Sequence, residues 1–155
     1  MQASVDMETG WLAQNVRSDL SWQVRLTPAQ VAGFQAALDH AAAVDKPLLQ
    51  MTPADFPLSN ECARVLAHAR SITQGPWGFS LIKGFPVHEW TEEQTRLAYW
   101  GMGLHVGVAR PQNINSDYLT DVRDAGGSYL VKGGRGYNTR AKLDFHIENP
   151  MAHQN

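Results

Sequence analysis

Helical spacing governs roughly the first two thirds of this chain and stops at Gly107, and that change of texture limits the architectures open to it. Thr27-Pro28-Ala29-Gln30 reads as a helix start: Thr27 can cap, Pro28 suits the first turn, and Gln30 can complete a capping box. Val31, Phe34, Leu38 and Ala42 follow at helical spacing, and Lys46-Pro47 ends the run. Pro53 and Pro57 bracket a short turn. A second helix is predicted from Ser59 to about Ile72, with Cys62, Val65, Leu66 and Ala69 on one face. After the break at Gln74-Gly75-Pro76, Gly78 to Phe85 reads as a buried strand closed by Pro86. Thr91-Glu92-Glu93-Gln94 is another capping box. It opens a third helix through Leu97, Ala98, Trp100 and Met102 to about Leu104. Residues 1–26 read as an irregular lead-in anchored by Trp11, Leu12, Leu20 and Trp22.

Past Gly107, short strand-like pieces alternate with turns: Tyr118 to Arg123, Tyr129 to Lys132 and Leu143 to Glu148, punctuated by Gly126, Gly127, Gly133, Gly134 and Gly136. Helices followed by short strands predict an α+β layout in which a β-sandwich or jelly roll begins. Such a sandwich takes about seven or eight strands, more than this chain offers. The expectation is one incomplete domain over 1–155, with 1–106 mostly helical around one core strand and 107–155 the start of a jelly roll.

Composition narrows the class further. Hydrophobic residues make up 43% and charged residues 18%, which is the profile of a globular chain rather than a disordered one. The net charge is −2 and Lys/Arg are not clustered, so neither nucleic acid nor a membrane surface is an expected partner. One cysteine, Cys62, can form neither an internal disulfide nor a cysteine-based zinc site, which points to a reducing compartment. No basic leader with an apolar run opens the chain, and no stretch approaches the ~20 apolar residues of a membrane span. A cytoplasmic location is expected.

The sharpest chemical feature is Leu143-Asp144-Phe145-His146-Ile147-Glu148-Asn149-Pro150. On a strand, side chains two apart point the same way, so His146 and Glu148 would project together, with Asp144 on the same polar side and Leu143, Phe145 and Ile147 opposite. An imidazole and a carboxylate side by side can supply two corners of a two-His, one-carboxylate iron(II) site, whose remaining positions stay open. Taken alone, the tripeptide reads rather as a solvated strand end carrying a surface His–Glu pair.

Several ordered blocks bear on that choice. Ala54-Asp55-Phe56-Pro57-Leu58, Gly78-Phe79-Ser80-Leu81-Ile82-Lys83-Gly84-Phe85-Pro86 and Leu97-Ala98-Tyr99-Trp100-Gly101-Met102-Gly103-Leu104-His105-Val106-Gly107 precede Pro111-Gln112-Asn113, Val122-Arg123-Asp124 and Arg135-Gly136-Tyr137-Asn138-Thr139. In order and spacing, and from Ser18-Asp19-Leu20-Ser21-Trp22 to the end, they resemble the taurine dioxygenase and clavaminate synthase-like group of iron(II)/2-oxoglutarate-dependent dioxygenases. The resemblance implies a double-stranded β-helix (jelly roll) with flanking helices, iron(II) as cofactor, 2-oxoglutarate as cosubstrate, and hydroxylation of a C–H bond in a small-molecule substrate. It makes His146 and Glu148 the first two iron ligands. Many relatives carry Asp at the second position. Glu148, within His-Ile-Glu-Asn-Pro, is similar to clavaminate synthase and nearby amino-acid hydroxylases, although Ile147 replaces their usual Thr. An amino-acid-like or anionic substrate is implied.

The family's third ligand, a distant His, and the Arg that holds 2-oxoglutarate fall past Asn155, so the resemblance implies a fragment. A truncated gene product and a short protein retained for binding are the alternatives. His153 reads as a lid or solvated residue rather than a third ligand, His105 as a capping or core residue, and His40, His68 and His88 as surface residues. Gln112 and Asn138 could orient a polar substrate or equally satisfy loop backbone. The Gly126–Gly136 stretch lacks the Gly-Lys-Ser/Thr ending of a phosphate loop and reads as a surface loop. Arg135 and Arg140 read as ordinary surface charge. Trp77, Trp90, Tyr99 and Trp100 read as core or helix-packing aromatics. The competing function is an inactive homologue acting as a binding or self-associating module, which unpaired strand edges would favour.

Overall fold

The computed structural model describes residues 11–112, 115–122 and 126. The chain divides between Ala109 and Arg110 into two compact units. The first unit holds every helix and strand among the described residues: α1 (Ala13–Ser18), β1 (Gln23–Arg25), α2 (Pro28–Val44), α3 (Asn60–Thr73), β2 (Leu81–Lys83) and α4 (Glu92–Val106), with 3-10 turns at Leu48–Gln50 and Pro53–Asp55 between α2 and α3.

Local chemistry sets the helix ends. At α2, Gln30 N–H donates to Thr27 Oγ1 at 3.3 Å, and Thr27 N–H donates to Gln30 Oε1 at 2.9 Å. At α4 the same reciprocal pair joins Thr91 and Gln94 at 3.1 and 2.9 Å. Ser59 caps α3 by accepting from Cys62 N–H at 3.2 Å. Each box satisfies two backbone donors that a helix start otherwise leaves open. The left-handed Asp45 (φ 50°) ends α2 ahead of Lys46-Pro47.

The three long helices pack on one another. The buried stripe of α3 is Cys62, Val65, Leu66 and Ala69, as its spacing predicts. On α2 the buried residues are Phe34, Ala37, Leu38 and Ala41, whereas Ala42 is exposed and Val31 only half-buried. Helical spacing around Phe34 and Leu38 reaches Ala41 as readily as Ala42, and the methyl-sized residues alone do not say which turns inward. From α4 come Ala98, Trp100 and Gly101. Tyr99, expected to pack, is 66% exposed, because it falls between two inward positions on the helix.

β1 and β2 pair in parallel, with Gln23 opposite Leu81, Val24 opposite Ile82 and Arg25 opposite Lys83. Parallel neighbours require a crossover, supplied here by α2 and α3. The strand expected over Gly78–Phe85 is shorter and less buried than its composition suggests: only Leu81–Lys83 joins the ladder, and Leu81 is 44% exposed. The flanking glycines explain this. Gly78 (φ 70°) and Gly84 (φ 112°) sit in backbone conformations that a strand does not use. Gly84 also passes close to Leu26, where a Cβ would meet the Leu26 Cβ at 3.3 Å.

The described part of the lead-in, from Trp11, forms a short helix and a strand rather than an irregular arm. Trp11, Trp22 and Trp77 surround Phe79 with ring centroids 5.1, 5.2 and 6.2 Å away. Trp11 Nε1–H donates to Trp77 O at 2.8 Å, and Trp77 Nε1–H to Ser21 Oγ at 3.0 Å. Leu12 and Leu20, expected as anchors, are 65% and 56% exposed. A second aromatic set joins Phe34, Phe85 and Trp90, where Trp90 Nε1–H donates to Gln35 Oε1 at 2.7 Å.

In the second unit, the described part of the Tyr118–Arg123 piece, up to Val122, is bend and irregular backbone rather than strand. The pieces at Tyr129–Lys132 and Leu143–Glu148 lie outside the described residues.

The two glycines of α4 separate packing from propensity. A Cβ at Gly101 would collide with the Phe56 ring, whereas a Cβ at Gly103 meets no described atom within 4 Å. Gly101→Ala is expected to destabilise by about 1–3 kcal/mol through overpacking. Gly103→Ala is expected to stabilise by up to about 1 kcal/mol through helix propensity. Urea unfolding of the two variants reads the opposite signs.

Candidate functional site

Of the residues that sequence reasoning brings to the site, His146, Glu148 and Asn138 lie outside the described residues, as do Arg135, Arg140 and His153. Gln112 is described and belongs to the second unit. Its backbone N–H donates to Asp117 O at 2.7 Å, and its side-chain Nε2 donates to Arg110 O at 2.9 Å. The amide nitrogen thus makes a contact within its own exposed loop.

In the first unit, the histidines take positions that their surroundings account for. His40, His68 and His88 are exposed. His88 Nε2 lies 3.4 Å from Glu89 Oε1 on the surface, where such pairs contribute little. His105, in the last turn of α4, has Nε2 2.8 Å from the Phe56 carbonyl oxygen. A carbonyl only accepts, so the hydrogen sits on Nε2 and that nitrogen offers no lone pair to a metal. His105 is therefore a tie between α4 and the turn after α2. Among the described residues no three His, Cys, Asp or Glu side chains gather as a metal site would need, and no helix is long and apolar enough to cross a membrane.

The same turn carries the one buried charged side chain among the described residues, Asp55. Its Oδ1 takes the Lys46 ammonium at 2.6 Å, and its Oδ2 accepts from both the N–H and the hydroxyl of Thr52 at 2.8 Å. The Lys46 hydrogen bond, reinforced by those from Thr52, holds the carboxyl down at about 2. This lock aims the neighbouring Phe56 into the core, where it is fully buried.

Open clefts mark the first unit, two of them relevant to its chemistry. The larger, about 500 Å³, runs between the end of β1, the start of α2 and α3, and is lined by Arg25, Ala29, Glu61, Arg64, Val65 and His68 among others. The smaller, about 310 Å³, lies along α3 and reaches His105 and Val106. Sequence reasoning did not single out Arg25 or Arg64. The two are far apart in the chain, and no local motif could unite them. The readable part was the spacing of Arg64 and His68, one helical turn apart.

No protein-family model matches this chain. By sequence it is a distant relative of a synthase. That relative is FR-33289 synthase of Streptomyces rubellomurinus (strain ATCC 31215), 30% identical over 91 residues, which are 58% of this chain and 25% of the relative. The matched stretch therefore spans about a quarter of the relative's length.

Asp55 has a signed consequence for acid stability. Its carboxyl is depressed in the fold, so its contribution is complete above the ordinary value of 3.8 and is lost as pH falls towards about 2. Asp55→Asn is expected to be less stable than the parent at neutral pH and to show a shallower loss of stability across that acid window. Chemical denaturation at stepped pH measures both.

Proposed function

We propose that this chain is part of an iron(II)/2-oxoglutarate-dependent oxygenase that hydroxylates a small anionic or amino-acid-like molecule. The observation that carries the reading is the ordered series of blocks ending in His146-Ile147-Glu148, within a chain distantly related to a synthase. One imidazole and one carboxylate are the donor types that iron(II) sites of the two-His, one-carboxylate kind employ, so the donor chemistry fits the metal. His146 and Glu148 would hold the ion. When bound, iron would let dioxygen act as the oxidant, with one oxygen atom going to the substrate and the other to succinate as 2-oxoglutarate loses carbon dioxide, chemistry that no amino-acid side chain supplies. The chain's own part is to orient the substrate's C–H bond and to exclude water. The jelly roll expected to begin after Gly107 would carry the ligand pair.

In the full-length oxygenase of which this chain is proposed to be part, anaerobic addition of iron(II) and 2-oxoglutarate is expected to give the visible charge-transfer absorption of the iron chelate. His146→Ala and Glu148→Ala should each abolish it, while His40→Ala, which alters an exposed helix residue, should leave it intact. A flat spectrum from folded parent protein, or a band that survives loss of both His146 and Glu148, would overturn the assignment.

A further inference from the structure

We propose that the cleft between β1, the start of α2 and α3 is a binding site for a small phosphate-like dianion. Arg25 stands at the end of β1, and Arg64 and His68 lie one turn apart on α3, so three cationic or potentially cationic side chains line one hollow of about 500 Å³. Glu61 is the sole carboxylate lining it. Among the described residues, none of Arg25, Glu61, Arg64 and His68 is engaged in an ion pair. With His68 neutral the lining carries a net charge of +1, from two arginines against one glutamate, in a chain whose total is −2.

The backbone adds to the same field. Of the first four donor positions of α2, Pro28 has no N–H, Gln30 N–H is taken by the Thr27 hydroxyl, and Val31 N–H by the Thr27 carbonyl. Ala29 N–H is left, and Ala29 lines the cleft. The hollow's apolar floor includes Val65, 5% exposed, and Val24, half-buried, which restricts water on one side of a bound anion. Guanidinium groups match tetrahedral oxyanions geometrically, each offering a fork of donors, and two of them facing one cleft suit a dianion better than a monoanion.

The test is a titration of the 155-residue chain with inorganic phosphate at constant ionic strength, followed by amide chemical shifts. The expected result is saturable shifts concentrated at Arg25, Ala29, Arg64 and Val65, with an apparent affinity weakened about tenfold or more in Arg25→Gln and in Arg64→Gln. Arg17→Gln, which alters an arginine outside the cleft, should titrate like the parent. Equal shifts with chloride at matched ionic strength, shifts scattered over the surface, or an unchanged affinity in the folded double variant would each overturn the site. The readout needs no iron, so its failure leaves the oxygenase reading standing, and the reverse holds as well.

Discussion

The ring of Phe56 is the contact on which the helical unit depends. It comes from a turn rather than from a helix, yet it is fully buried against α4 at Gly101, where no larger residue could stand. A glycine inside a helix costs about 1 kcal/mol relative to alanine. Burying a whole phenylalanine side chain returns about 1.5–3 kcal/mol. The exchange favours the glycine, and it explains why α4 tolerates one at this point. Two polar ties keep the ring in register. Asp55 locks the turn on one side through Lys46 and Thr52, and His105 grips the Phe56 carbonyl on the other. The first tie is local and the second spans 49 residues, so together they couple the turn's geometry to the end of α4.

The small parallel sheet would not stand by itself. Three residues on each strand supply few hydrogen bonds, and an isolated pair of strands is marginal in water. Aromatic packing supplies what the ladder lacks. Phe79 sits among Trp11, Trp22 and Trp77, which belong to the lead-in and to the segment before β2, so the same cluster fixes both strand entrances. The indole N–H groups of those tryptophans find backbone or hydroxyl acceptors, which lets large amphipathic rings pack at a half-open site without stranding a donor.

How much could be read in advance follows from the range of each interaction. The capping boxes at Thr27–Gln30 and Thr91–Gln94 involve residues three apart, and the sequence displays them directly. The α3 stripe was legible because Val65, Leu66 and Cys62 are unambiguous apolar markers. The α2 stripe was half legible, since choosing between Ala41 and Ala42 depends on where α3 and α4 lie. Gly78–Phe85 was over-read because apolar composition hides the backbone demand of its two positive-φ glycines. The lead-in helix was missed because none of its residues is buried, so no periodicity marks it. For the site, His105 was legible as a structural residue at a helix end, but its carbonyl partner was not. That Arg25 and Arg64 line one cleft follows only from the crossover that brings β1 beside α3.

That crossover bears on ligand chemistry as well as on architecture. A chain of net charge −2 gives anions no general attraction, so any affinity for one must come from short-range groups. At about 0.1 M salt, charges more than about 10 Å apart scarcely act on each other, and the distant carboxylates of the chain are screened from the cleft. What an anion entering the cleft meets is Arg25, Arg64, Glu61, His68 and the open end of α2. A short strand whose ladder is nearly too weak to matter is thus the element that carries one of the two guanidinium groups into position. Loss of the Phe79 cluster would then disturb anion affinity and sheet pairing together, because the strand entrances held by those aromatic rings lead straight to Arg25 and its register against Lys83.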